Sequence, residues 1–425
     1  VIQIIEGKFA ASLMPDRREE DARVTDAVAA ILADVRQNGD EALFRLSEKF
    51  DGARPATIEV PQAEIDAAAE SVGPEFLETL QAAAENIRAF HKRQIREGYV
   101  VTDNPGVILG QRVIPLSRAG IYIPGGTAAY PSTVLMDVIP AVLAGVNEVV
   151  MATPPSRGGT VAPEILAAAK VAGVSRVFRV GGAQAVAAMA YGTQSVPRAD
   201  KIVGPGNVYV AEAKRQVFGQ VGIDIIAGPS EILIIADGAS NPAYVAADML
   251  SQAEHDKNAA AVLVTDSRAL ADAVSSEIER QLALLSRREI ARASIEQNGR
   301  VFVVKDLAEA AETSNEIAPE HLELCVEDPF ALLPRIRNAA SVFLGRYCPE
   351  ALGDYFAGPN HTLPTVSTAR FASPLGVEDF VKRAQFTYYT KDALAQVADK
   401  VARFASREGL DAHARSVLIR TEEQP

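Results

Sequence analysis

Between residues 118 and 344, apolar strand-like and helix-like runs alternate almost without interruption. GIYIP, EVVMAT, RVFRV and KIVG each lead into a helical run: STVLMDVIPAVLAG, APEILAAAKVAG, AQAVAAMAYG and VYVAEAKRQVFG. Strands covered on both faces read as continuous apolar stretches. Their alternation with helices dictates a mostly parallel sheet, because parallel neighbours need a crossover connection. A second series starts near residue 230. Its strands are EILIIAD, AAVLVT, RVFVV, LELCV and SVFLG. Its helices are NPAYVAADMLSQAEHD, SRALADAVSSEIERQLALL, LAEAAETSNEIA and FALLPRIRNAA. The expected fold class is therefore α/β, with two such units in tandem and a crossover at Ile225–Pro229.

The flanks have another texture. Residues 21–50 read as two helices broken at Asn38-Gly39, and residues 62–95 as two more split by Gly73-Pro74. VILGQRVIPL, from residue 107, reads as strand. His91 lies among cations at a helix end, where an exposed imidazole is the expectation. Residues 346–370 lack periodicity and read as a long ordered loop, a common place for function. The tail, 376–420, reads as mainly helical, with Gly409 separating two pieces. The expected division is an N-terminal arm (1–20), a discontinuous first α/β unit (21–117 and 230–370), an inserted second unit (118–229) and a helical C-terminal segment (371–425).

Composition narrows the partners. The chain has 425 residues, 48% of them hydrophobic, with a formal charge of −13. An acidic surface does not suit a phosphate-backbone partner, so no nucleic acid is expected. No apolar run reaches membrane-spanning length. VIQIIEGKFAASLM has no basic segment before an apolar one, so it is not read as a signal peptide. The missing initial Met points to processing or trimming. Cys325 and Cys348 cannot make a disulfide framework, which suits a reducing, cytoplasmic setting.

Only five histidines occur, so each can be weighed. Gln252 and His255, in SQAEHD, are three apart and would share a helix face. His321 follows Glu320 in APEHLEL. Asp354 and His361 flank the turn GDYFAGPNH. Glu408 and His413 straddle Gly409. A histidine at an element end is more often a hydrogen-bonded structural residue than a ligand. As a set, imidazoles and carboxylates suit Zn²⁺, although glutamine is a poor zinc ligand. A Glu-His pair is also a plausible acid–base unit. The sequence leaves open whether these segments meet. Three glycine loops, IYIPGGTAAYP, RVGGAQAVAA and IVGPGNVYVAEAK, sit between strand and helix, where free N–H groups suit phosphates or a dinucleotide. None is the G-x-G-x-x-G fingerprint. Ser230 lies in a fourth loop, AGPSEILIIAD.

Taken together, YIPGG, STVLM, GGAQA, GPGNVYVAEAKRQVFG, IDIIAGPSEILIIAD, SQAEHD, IAPEHLEL, GDYFAGPNHTLPT and EGLDAHARSV resemble the histidinol dehydrogenase family. They occur in order from about residue 112 to 420. The resemblance implies one Zn²⁺ per subunit, held by Gln252, His255, Asp354 and His413. It implies Glu320 and His321 as the catalytic pair. Substrate contacts would come from Ser230, Gln252, His255, His321, Asp354, His361, Glu408 and His413. Tyr122, Gln184 and Asn207 would contact NAD on the second unit. It further implies incomplete Rossmann-like units and a homodimer whose exchanged C-terminal segment, with Glu408 and His413, completes the partner's site.

The implied reaction oxidises L-histidinol through L-histidinal to L-histidine with two NAD⁺. A neutral glutamine ligand leaves the metal more residual charge, which favours substrate nitrogens as further ligands. Rival readings are a family relative oxidising another small hydroxy compound, such as a sulfonated diol, a zinc hydrolase without nucleotide, and a non-catalytic binding protein. Glu408 and His361 suit a cationic imidazole-bearing substrate better than a sulfonate.

Overall fold

A computed structural model describes residues 1–7, 22–125, 129–226 and 228–422. Most of the expected N-terminal arm (8–20), residues 126–128 of the first glycine loop and residue 227 of the crossover lie outside the described residues. In chain order the strands are β1 (Gln3–Glu6), β2 (Tyr99–Val101), β3 (Val107–Pro115), β4 (Arg118–Tyr122), β5 (Glu148–Thr153), β6 (Arg176–Arg179), β7 (Lys201–Val203), β8 (Gly222–Ile223), β9 (Glu231–Ala236), β10 (Ala260–Thr265), β11 (Arg300–Val303), β12 (His321–Cys325), β13 (Ser341–Leu344) and β14 (Val381–Tyr389). The chain forms two compact units: Val1–Gln94 with Leu116–Phe380, and Ile95–Pro115 with Val381–Pro425.

The larger unit holds two parallel sheets, as the alternating runs predict. One is ordered β6-β5-β4-β7-β8, the other β1-β11-β10-β9-β12-β13. Apart from β1, both run outward from their first strand in both directions, the doubly wound pattern. In each, the order reverses beside the first strand: between β4 and β7, and between β9 and β12. The second sheet is apolar through its thickness. Ile232, Ile234 and Leu263 pack with the helices Pro242–Ala253 and Arg268–Leu282 on one face. Leu233, Ile235, Val262 and Val264 pack with Ala310 and Ile317 of helix Leu307–Ile317 on the other. Each such aliphatic side chain contributes about 1.5–3 kcal/mol on burial. That makes the sheet a rigid base for whatever its ends carry.

The N-terminal helices break where Gly39 and Gly73 predict, giving Ala22–Asn38, Asp40–Phe50, Gln62–Ser71 and Pro74–His91. They share a core with the five-stranded sheet. Leu32 and Leu43 pack with Val150 and Phe178, and Ile65 and Leu80 with Ile121 and Met151. β1, from the expected N-terminal arm, joins the six-stranded sheet, parallel to β11.

Other local readings differ as well. His91 is buried, with Nδ1 2.9 Å from the Ile87 carbonyl oxygen, and burial lowers its pKa. It is a structural residue, not an exposed cation. The helix expected over 330–340 stops at Leu332, followed by a 3-10 turn at Leu333–Arg335, because Pro334 cannot continue the α-helical bonding. A helix at Arg288–Gln297 was not anticipated.

In the smaller unit, β14-β3-β2 form an antiparallel sheet. β14 pairs with β3 along its whole length, from Val381↔Pro115 to Tyr389↔Val107. The helices Lys391–Arg407 and Asp411–Leu418 follow, joined through Gly409 at φ +76°. The tail is thus mainly helical, as expected, with the nine-residue strand β14 ahead of its two helices.

Candidate active site

The amino edge of the six-stranded sheet gathers most of the candidate residues. Glu320 and His321 enter β12, Ser230 and Glu231 enter β9 beside it, and the helix carrying Gln252 ends just before β10. Parallel pairing sets His321 opposite Ile232 and next to the Glu231 peptide. The Glu231 N–H donates to Glu320 Oε2 at 2.8 Å. His321 Nδ1 lies 3.1 Å from the Glu231 carbonyl oxygen. The main chain of one residue, Glu231, therefore holds both members of the Glu-His pair.

This contact decides the tautomer of His321. A peptide carbonyl only accepts, so Nδ1 carries the proton and Nε2 keeps its lone pair. His361 repeats the arrangement, with Nδ1 3.0 Å from the Asp354 carbonyl oxygen. In both rings Nε2 is buried and without a hydrogen-bond partner. Two unpaired basic nitrogens in one site require an explanation, since buried polar atoms are normally satisfied. Asp354 Oδ1 lies near both rings, 3.9 Å from His321 Nε2 and 3.8 Å from His361 Nδ1. Burial lowers the pKa of His321, opposed by Asp354 and the Glu231 carbonyl and aided by His361 and His255. His361 is lowered by burial too, with Asp354 opposing and His255 aiding. His255 is thus within electrostatic reach of both rings.

Gln252 and His255 do not share a helix face as the spacing implied. The helix ends at Ala253, and His255 sits in the following turn, its N–H donating to the Gln252 carbonyl oxygen at 3.2 Å. Gln252 is fully buried and His255 is exposed. Turned to satisfy its hydrogen bonds, the Gln252 amide nitrogen donates to both carboxylate oxygens of Glu350, at 2.7 and 3.2 Å.

Glu350 was not singled out in the sequence. It lies one helical turn before Asp354 on the short helix Glu350–Tyr355, inside the segment read as loop. That i, i+4 carboxylate pair was the available signal. Its Oε1 is 3.6 Å from His321 Nδ1, and its own N–H donates to Glu323 Oε1 at 2.8 Å. Ligand atoms of His321, Glu350 and Asp354 lie within 4.8 Å of one another, tight enough to suit a metal ion. Burial, with Asp354, Glu320 and Glu323 nearby, pushes the Glu350 carboxyl well up. Behind it, burial lifts Asp248 to about 6, and burial with Asp248 nearby raises Glu323 well above the usual carboxylate range.

The remaining candidates lie elsewhere. Tyr122 ends β4, Gln184 is in the first turn of helix Gly182–Tyr191, and Asn207 caps helix Val208–Val217 by accepting from the N–H groups of Tyr209 and Val210. All three are at the carboxyl edge of the five-stranded sheet, where doubly wound folds bind ligands. Tyr122 is buried, its hydroxyl accepting from the Gly182 N–H at 3.0 Å. Glu408 and His413 belong to the smaller unit. Glu408 closes helix Lys391–Arg407, His413 is in the first turn of the next helix, and both are exposed.

The family model for histidinol dehydrogenase matches residues 14–421. The chain belongs to the histidinol dehydrogenase family. It is 53% identical to the histidinol dehydrogenase of Halalkalibacterium halodurans over 399 residues, 94% of each chain. It is 51% identical to that of Listeria innocua over 427 residues, the full length of both. A crystal structure of histidinol dehydrogenase from Elizabethkingia anophelis superposes with a TM-score of 0.93 at 37% identity, covering 99% of this chain and 98% of that one. As a histidinol dehydrogenase family member the chain is an oxidoreductase, and the match takes in both units, including Glu408 and His413.

Proposed function

We propose that this enzyme oxidises L-histidinol to L-histidine through L-histidinal, a four-electron oxidation using two NAD⁺ and one Zn²⁺ per subunit. Family membership along nearly the whole chain carries this reading. The proposed zinc ligands are Gln252, His255, Asp354 and His413. The donor set at the amino edge fits such an ion: carboxylate, imidazole and amide groups converge there, and two buried imidazole Nε2 atoms lack partners. Glu350 belongs to the tightest geometric group, yet we assign it no ligand role. It is buried behind Gln252, and its carboxyl is held toward the neutral form. The bound ion would supply fixed positive charge that orients the amino and imidazole nitrogens of the substrate.

His321 acts as the base. Its Nε2 takes the alcohol proton as hydride departs, while the Glu231 carbonyl holds Nδ1–H and keeps the ring oriented. Glu320 then activates water for attack on the aldehyde, and His321 serves again when the hydrate is oxidised. Retaining the aldehyde in one pocket limits its side reactions. NAD⁺ would supply the hydride acceptor, with Tyr122, Gln184 and Asn207 at the carboxyl edge of the five-stranded sheet as its contacts. Ser230, His361 and Glu408 complete the substrate pocket. Free cysteines suit a cytoplasmic enzyme, and no helix among the described residues is long and apolar enough to cross a membrane.

We further propose a homodimer with exchanged C-terminal segments. The smaller unit supports this: its own core is little more than Ala402, Ala405 and Ala414 with Leu418. It exposes Tyr99, Val100, Tyr388 and Phe404, apolar surface that a partner would cover.

The deciding assay mixes purified protein, NAD⁺ and L-histidinol and follows NADH. Two NADH per histidinol are expected, abolished by a chelator and restored by Zn²⁺. One NADH with accumulating aldehyde, or none, would overturn the reaction. Sharing of sites has its own test. His255→Ala and His413→Ala are each expected to be inactive, and mixing them should restore part of the activity, since half of the sites in a mixed dimer then carry both histidines. No recovery after proven subunit exchange argues against sharing.

A further inference from the structure

The five-stranded sheet carries a buried charge pair that the chemistry above does not use. Lys214, on helix Val208–Val217, pairs with Asp224, just past β8, and each side chain is only 2% exposed. Such pairs lose hydration that their attraction often fails to offset, and apolar replacements of equal volume can be as stable. Stability alone is a weak reason for this one.

Both partners converge on a single residue, Gly204, and grip the two peptide groups that flank it. The Gly204 N–H donates to Asp224 Oδ2 at 2.8 Å, and the Gly204 carbonyl oxygen accepts from Lys214 Nζ at 2.9 Å. Gly204 follows β7 and opens the sequence Gly204-Pro205-Gly206-Asn207. Its φ is +117°, and a Cβ there would collide with the Tyr122 carbonyl oxygen at the end of β4. The clamped residue therefore joins Tyr122 on one side to Asn207 on the other.

The polar cluster extends further. Lys214 and Asp224 act electrostatically on Asp137, a buried residue of helix Pro131–Leu143. Asp137 Oδ1 accepts from Thr362 Oγ1 at 2.6 Å, and Asn360 Nδ2 donates to the Met136 carbonyl oxygen at 2.6 Å. These bonds fasten the residues on either side of His361 to a helix of the five-stranded sheet.

We infer that Lys214 and Asp224 are positioning residues for the dinucleotide. They fix the Gly204 main chain, and through it the loop to Asn207, in the geometry that receives the cofactor. The inference rests on the NAD reading given above. A misplaced loop raises the cost of binding the dinucleotide, while the Asn360 and Thr362 hydrogen bonds that hold the His361 segment do not involve Lys214 or Asp224 and stay in place.

The test is the double variant Lys214→Met/Asp224→Leu, which leaves no unpaired charge, made in the full-length enzyme. NADH binding by fluorescence, KM for NAD⁺ and for histidinol, and thermal unfolding are measured together. The folded variant is expected to bind NADH about ten-fold more weakly, with KM for NAD⁺ rising in step and KM for histidinol nearly unchanged. Unaltered NADH affinity, or equal rises in both KM values, would overturn the inference. Should the double variant not fold, Lys214→Arg decides. It keeps the charge but changes the reach to Gly204, and unchanged NADH affinity there overturns the inference equally. Parent enzyme that bound no NADH would overturn the NAD reading itself, and the inference with it.

Discussion

Replacing His321 with Asn is expected to lower kcat by about 10³-fold, within the range for loss of a positioned general base. The geometry explains why no neighbour substitutes. His321 Nε2 is the buried, unpaired lone pair beside Asp354, with Nδ1–H tied to the Glu231 carbonyl. His361 has a similar tautomer, but its Nδ1 is tied to the Asp354 peptide on a different segment. The loss should appear with histidinol and with histidinal as substrate, because the same nitrogen serves both oxidations. Metal content should be unchanged. Burial favours the neutral ring, so activity should persist below the ordinary histidine range and fall only as acid protonates Nε2. Steady-state rates with each substrate, alongside metal analysis, check this. A loss under ten-fold in either half-reaction would remove His321 from the role of base.

Replacing Glu350 with Leu is expected to weaken metal binding by about 10- to 100-fold, the usual penalty for losing a group that orients a ligand. Gln252 donates to both Glu350 oxygens, so its amide nitrogen is occupied and its oxygen is left for the other side. Without the carboxylate the amide is free to turn, and an outward nitrogen repels a cation. Leu avoids a second buried carboxyl beside Glu323, whose Oε1 still accepts from the residue 350 N–H. Glu350→Gln keeps one acceptor oxygen and should fall between parent and Leu. Titrating metal-stripped protein with Co²⁺ against a competing chelator reads the affinity without activity. A folded Leu variant binding as tightly as the parent would separate Glu350 from the metal site.

Much of this site was legible in the sequence, and for identifiable reasons. Histidine is scarce, with five in the chain, so the Glu320-His321 pair and the GDYFAGPNH turn stood out. The strands behind them are uniform apolar runs with little else to be. Glu350 was overlooked because a lone glutamate in a loop-like stretch carries no local sign of burial. Its meaning comes from Gln252, His321 and Glu323, which lie on other elements. His91 misled for a similar reason, since its cationic neighbours in sequence are not its neighbours in space. β14 was not picked out within the mainly helical tail because VKRAQFTYY does not alternate. Seven of its nine residues are exposed, and it is strand because β3, more than 260 residues earlier, supplies its hydrogen bonds.

Sequence alone determined the two α/β units, the breaks between the N-terminal helices and the family, because each is encoded in contiguous residues through periodicity, glycine placement or motif. Tertiary structure alone decided that the Glu-His pair hangs on the main chain of one residue of a neighbouring strand. It also decided that the site occupies the amino edge of its sheet while the glycine loops occupy the carboxyl edge of the other. Strand order and register bring residues about 90 positions apart within hydrogen-bond distance. No window of sequence contains that information, because it arises only when two buried strands align.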